Sequence, residues 1–206
     1  MIRRLAFALL LTVLVLLPAA GGAIPPERGI LDELNAARTD PRAYAGHLAE
    51  YRSHFKGRYY LVPGSRTRIV TSEGTRGVDE AIRFLRRQGP LPPLGWSDGL
   101  ARAAAELVRE QGASGATGHG SGDAGMRQRI ERQGEWKRTI GENVSYGPDA
   151  PRAVVMQLII DDGVPGRGHR KNIFSPAFGV AGVACAPHPV YGTACAIDFA
   201  GGFREE

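Results

Sequence analysis

The chain reads as a layered α+β domain, and three observations predict it. Apolar residues recur at helical spacing in several segments, short β-prone runs lie between glycine and proline turns, and no repeat or linker divides the 206 residues. A composition of 43% hydrophobic and 23% charged residues fits one globular domain. The 28 glycines and 14 prolines are more than average but fall short of a low-complexity chain. The net charge of +5 rests on 26 basic residues, of which only Lys56, Lys137 and Lys171 are lysines. They are scattered among acids and form no stripe or reading motif, so a nucleic-acid partner is not expected.

The first element is a leader. Arg3 and Arg4 precede the run Leu5 to Leu17, apolar but for Thr12, and the small residues Ala19 to Ala23 follow Pro18. The run is too short to span a bilayer comfortably, and the order basic, apolar, small is that of a secretory signal peptide. Cleavage after Ala23 is expected, leaving one domain over residues 24–206 with a net charge of +3 and no membrane anchor. Without the leader, Leu, Ile, Val and Phe make up about a fifth of the chain, a thin core that calls for a staple.

Ile30, Leu31, Leu34 and Ala37 share one face of a first helix. Asp40-Pro41 reads as the N-cap and first turn of a second, carrying Tyr44, Leu48 and Tyr51. Tyr59 to Val62 and Ile69 to Thr71 flank Pro63-Gly64 as a loose hairpin or extended loop. A short helix is expected near residues 78–88, ended by Gly89-Pro90. The clearest helix covers 98–111, with Ser97 as N-cap and Leu100, Ala104, Leu107 and Val108 as its stripe. A glycine-rich loop leads to a helix starting at Asp123 and stopping at Gly134. Thr139 to Ser145 is expected as a strand, and Asp149 as the cap of a helix closed by Asp161-Asp162-Gly163. Last comes an antiparallel hairpin around Pro187-His188-Pro189. It brings Cys185 and Cys195 within disulfide reach, and secretion permits that bond.

Two of the five histidines are flanked by glycine, His119 on both sides and His169 on one, and Glu142 follows Gly141 on the expected strand. With Asp161 and Asp162 these are ligand types for zinc or a similar cation, although their spacing forms no short metal motif. There is no HExxH and no nucleophile elbow. The GxGxxG match at 120–125 lacks the preceding apolar strand a dinucleotide site needs. Asn143-Val144-Ser145 is a glycosylation sequon in form, but its place inside a strand makes it an accident.

His119 followed by the GEN string at 141–143 and the GHR string at 168–170, in that order, resembles the CAP superfamily of cysteine-rich secretory, antigen 5 and pathogenesis-related proteins, in its secreted bacterial form. LDELNAARTDPRAY and LGWSDGLARAAAELV resemble the first helices of that family, with Trp96 as a core residue. The resemblance covers about residues 28–203. It implies a three-layer α-β-α sandwich with a small antiparallel sheet and a central cleft holding two histidines and two acids, a tetrad that binds zinc or another divalent cation in some members. His119 and His169 match the histidines and Glu142 the first acid; Asp161 falls at the second, where a Glu is usual. The shorter carboxylate would end about one methylene further from the cleft centre. A secreted, monomeric module binding a metal, lipid or other small ligand is the function this implies. The alternatives are a metal-dependent hydrolase or protease, and an interaction protein with a vestigial tetrad.

Overall fold

A computed structural model describes residues 26–120 and 123–205. The expected leader and the Ser121-Gly122 part of the glycine loop lie outside the described residues. Helix α1 (Pro26–Thr39) buries Ile30, Leu31, Leu34 and Ala37. Asp40 caps α2 (Pro41–Ser53), its carboxylate accepting the Ala43 N–H at 3.0 Å. The next β-prone patches do form strands: β1 (Phe55–Lys56), β2 (Tyr59–Leu61) and β3 (Arg68–Val70) make an antiparallel sheet in that order. Helix α3 (Thr75–Arg87) starts slightly before the expected position and buries Val78, Ile82 and Leu85. The two-residue strand β4 (Gly95–Trp96) leads to α4 (Asp98–Ser114), capped as expected by the Ser97 hydroxyl on the Leu100 N–H. The remaining elements are α5 (Asp123–Glu131), β5 (Gly134–Trp136), β6 (Ile140–Tyr146), α6 (Pro151–Ile160), α7 (Gly168–Ile173), β7 (Val180–His188), β8 (Gly192–Ala200) and β9 (Phe203–Glu205).

Some local readings are corrected. Asp149 does not cap α6: Ala150 occupies the N-cap, with no side-chain hydrogen bond, and Pro151 starts the helix. Proline at the first helical position marks the start of the helix whether or not the preceding residue caps it, as Asp40-Pro41 and Ala150-Pro151 show. His169 lies in the first turn of α7, a helix the sequence reading does not include. Trp96 is only half-buried, stacked under the Arg28 guanidinium at 3.9 Å and donating to Asp98 at 2.6 Å.

The central sheet has the order β4-β7-β8-β6, antiparallel except for the short parallel β4–β7 pairing. Strand alternation sorts its side chains into two unlike faces. Ala181, Val183, Cys195, Ile197 and Phe199 pack into the larger core with α1, α2, α3, α6 and α7. Ala184, Ala194, Ala196 and Ala200 face α4 and α5. The alanine face lets α4 lie close, and at Gly182 it requires glycine: a Cβ there would sit 2.0 Å from the Ala101 backbone nitrogen. Helices on both sides of one sheet make the α-β-α sandwich. Cys185 and Cys195 stand opposite one another on β7 and β8 and are joined by the expected disulfide. No described helix is long and apolar enough to cross a membrane.

Candidate functional site

His119 follows a loop whose flanking residues, Gly118 and Gly120, have φ of 93° and 80°. Side chains rarely tolerate that backbone, so these two glycines are positional. The loop is tied down by a closed hydrogen-bond circuit. The Gly118 N–H donates to the Tyr146 hydroxyl at 2.7 Å, that hydroxyl donates to Gln111 at 2.9 Å, and the Gln111 amide donates to the Gly118 carbonyl at 2.7 Å. From this platform the His119 Nδ1–H donates to Glu142 Oε1 at 2.8 Å. Because a carboxylate only accepts, the proton of the neutral ring sits on Nδ1, and in that form Nε2 carries the lone pair. The hydrogen bond and charge of Glu142 hold the His119 pKa above its ordinary value, against the opposing effect of burial.

Glu142 is buried and has a second partner that sequence reasoning missed. Arg129 of α5, also buried, donates to Oε2 at 2.6 Å. Nothing in the sequence distinguishes this arginine from the many others. A further missed residue is Asp198, directly opposite Glu142 in the β6–β8 register and fully buried. Neither of its oxygens has a hydrogen-bond donor among the described residues. Burial first, then the Glu142 charge, push its pKa well above the carboxylate range. A lone acid in the apolar string CAIDFAG was the available signal, since an Asp in a buried strand is rare without a role.

The second histidine is held in the same way from the other side. Asp161 ends α6 in the left-handed conformation, φ 56°. One of its oxygens accepts the His169 backbone N–H at 3.0 Å and the other accepts the ring Nδ1–H at 2.6 Å. The short side chain is therefore no defect here, because the turn itself brings it to His169. The turn is locked by ion pairs: Arg167 donates to the Asp161 carbonyl at 2.7 Å and twice to Glu73, at 2.6 and 2.8 Å. Asp162 accepts the Ser72 and Glu73 backbone N–H groups at 2.6 and 2.8 Å. Asn143 donates to the His169 carbonyl at 3.0 Å and accepts from Asn172 at 2.9 Å, bolting β6 to α7. Being fully buried in this role, Asn143 is no glycosylation acceptor in the folded chain.

The four sequence-derived residues thus form two pairs, His119–Glu142 and His169–Asp161. The pairs approach β6 from opposite faces. Glu142 and Tyr146 project toward α4 and α5, whereas Asn143 and Ser145 project toward α6 and α7, where Ser145 meets Gln157. β6 is the outer strand of the sheet. Among the described residues no three His, Asp, Glu or Cys side chains are grouped to hold a metal ion. The two Nε2 atoms make no hydrogen bond among the described residues, and Glu142 and Asp161 orient the rings through Nδ1.

Beside His169 lies a cavity of about 740 Å³, lined by Tyr51, Phe55 and Tyr60, by β3, by α6 residues including Met156 and Leu158, and by Val144 of β6. The small sheet β1–β3 forms one wall, and the Asp161–His169 pair is its polar end.

A family model described as the cysteine-rich secretory protein family, CAP, matches residues 31–198. No curated protein matches the chain. Among solved structures the fold is similar to an extracellular protein with an SCP domain from Bacillus anthracis, at 20% identity and TM-score 0.44, over 61% of this chain and 37% of that one. A Borrelia burgdorferi outer surface protein shares 16% identity at TM-score 0.45, over 56% of this chain and 80% of that one. A Staphylococcus aureus cysteine-rich secretory protein shares 16% at TM-score 0.41, over 59% and 35%. The match spans little more than a third of the Bacillus and Staphylococcus chains. With most of its length matched by the family model, this protein belongs to the cysteine-rich secretory protein (CAP) family.

Proposed function

We propose that this chain is a secreted binding module that takes a small, largely apolar ligand in the cavity beside His169 and a divalent cation on the His119 and His169 imidazoles. The cavity carries the reading. Its size is within the range of small-molecule sites, its walls are apolar and aromatic, and one ionisable pair stands at its end. The cysteine pair agrees with export to an oxidising compartment, as does the expected leader. Zinc is the first candidate cation, because neutral imidazoles suit it and each imidazole here already has its Nδ1–H oriented by a carboxylate. When bound, such a cation supplies Lewis-acid character.

Hydrolysis is the second reading, favoured by one observation. An imidazole whose Nδ1–H faces a carboxylate presents Nε2 as a base, and there are two of these. Three measurements separate the readings. Zinc titration by calorimetry should show binding to the mature protein and none to the His119→Ala/His169→Ala variant; equal behaviour of the two rules out the cation site. A dansyl-labelled fatty acid should show saturable fluorescence enhancement, reduced by Met156→Trp, which narrows the cavity. Failure to bind removes the ligand reading, and peptide or ester turnover lost in the double histidine variant would replace it with hydrolysis.

A further inference from the structure

The outer edge of β6 has an unpaired backbone position that opens on the cavity. Antiparallel pairing alternates, so every second residue of an outer strand points its N–H and C=O away from the sheet. The Gly147 N–H donates to Thr193 and the Gly201 N–H to Thr139, at 2.9 and 3.0 Å. Odd-numbered residues of β6 therefore bond to β8, and Glu142, Val144 and Tyr146 direct their backbone groups outward. Two of the outward carbonyls are taken: Asn172 donates to Glu142 O at 3.3 Å and Gln157 to Tyr146 O at 3.0 Å. Between them, the N–H and C=O of Val144 have no partner among the described hydrogen bonds. The Val144 side chain packs on the opposite face, with Leu107 and Val108 of α4. What Val144 contributes to the cavity wall is therefore its backbone edge.

We infer that this edge is a docking rail for an extended peptide, which pairs with Val144 through one N–H and one C=O and places an apolar side chain in the cavity. The inference rests on the reading of the cavity as a ligand site and names the class of ligand. An acyl chain would satisfy the apolar walls but leave the Val144 donor and acceptor unpaired, whereas a peptide in β conformation supplies both complements and an alternating side chain. His169 lines the same cavity, so a peptide seated on this edge passes beside the Asp161–His169 pair.

The test keeps the wild-type mature protein and alters the ligand. The probe is the capped tetrapeptide acetyl-Leu-Phe-Val-Ala-amide, compared with versions N-methylated at one or the other central residue. Binding is followed by calorimetry and by displacement of the dansyl-labelled fatty acid. The expected result is saturable binding of the parent, weakened about tenfold or more by one methyl group and little by the other, because only alternate N–H groups face the rail. A second arm uses Val144→Pro, which deletes the outward donor while leaving the β6–β8 bonds intact. It should bind the parent peptide about tenfold or more weakly than wild type does. If this variant does not fold, the methylation pattern on the wild-type protein decides alone. Equal binding of all three peptides overturns the rail. So does fatty-acid binding with no peptide binding, an outcome that leaves the proposed function standing. If neither probe binds, the ligand reading and the rail fail together.

Discussion

Asp198 shows what one buried residue costs and what it does to its neighbours. Its carboxyl is removed from water, lacks a donor among the described residues and faces Glu142, so the folded state holds its proton more tightly than the unfolded chain does. A carboxyl pKa raised by folding means stability is lost as pH rises from the ordinary carboxylate range through the raised value. Asp198→Asn keeps the shape, removes the charge and offers Glu142 a donor. The melting temperature of this variant should therefore exceed that of wild type at pH 8, with the advantage shrinking toward pH 4. An equal difference at both pH values would show that ionisation of Asp198 does not matter. The glycines also need to be judged one by one. Gly118 and Gly120 are required by their φ, and Gly141 by its approach to Phe178, whose ring a Cβ would meet at 2.8 Å. Gly168, although part of the GHR string, has neither constraint. Gly168→Ala should change stability by no more than about 0.5 kcal/mol. Gly182→Ala should cost about 3 kcal/mol or more, because the new methyl meets the α4 backbone rather than a side chain that could move. Urea denaturation of the two variants compares them directly.

At the scale of elements, the turn between α6 and α7 is held to the start of α3 and the end of β3 by charge rather than by apolar packing. Arg167, Glu73 and Asp162 link the two segments, and Glu73 Oε1 also accepts the Gly163 N–H at 2.8 Å. The Arg167 hydrogen bond, followed by that from Gly163, holds the Glu73 pKa down to about 2. A depressed carboxylate pKa contributes stability that is present above the ordinary value of 4.5 and is lost as pH falls toward 2. Glu73→Gln should thus lower stability by about 1–2 kcal/mol at pH 7, with wild type and variant converging near pH 2. Amides of residues 55–73 should exchange faster in the variant at neutral pH; unchanged exchange there would mean that the ion pairs do not hold the small sheet. Because the same turn carries Asp161 and His169, the latch sets the position of one half of the candidate site. The element boundaries were mostly legible, since Asp40 and Ser97 are local caps followed by local apolar stripes. The α6 cap was not: Asp149 lies one residue too early, and Ala150 takes the N-cap position with no side-chain hydrogen bond.

At the scale of the whole molecule, the thin core is divided by the sheet into a larger cluster under α1, α2, α3, α6 and α7 and smaller ones under α4 and α5. The disulfide closes the β7–β8 hairpin at its centre and should contribute about 3 kcal/mol. Cys185→Ala/Cys195→Ala should lose that amount in chemical unfolding while keeping the far-ultraviolet spectrum of the native fold. Taken by itself, the sequence determined the fold class, most of the helices with the Asp40 and Ser97 caps, the cysteine hairpin and, through the GEN and GHR strings, the four candidate residues. Each of these depends on spacing along a short stretch of chain or on a motif. Only the tertiary structure decided which acid orients which histidine, that the two pairs flank one strand from opposite faces, and that Arg129 and Asp198 stand behind Glu142. The reason is that the face and edge a residue occupies follow from strand order. That order is set when β6 pairs with β8, far along the chain, and no local pattern records it.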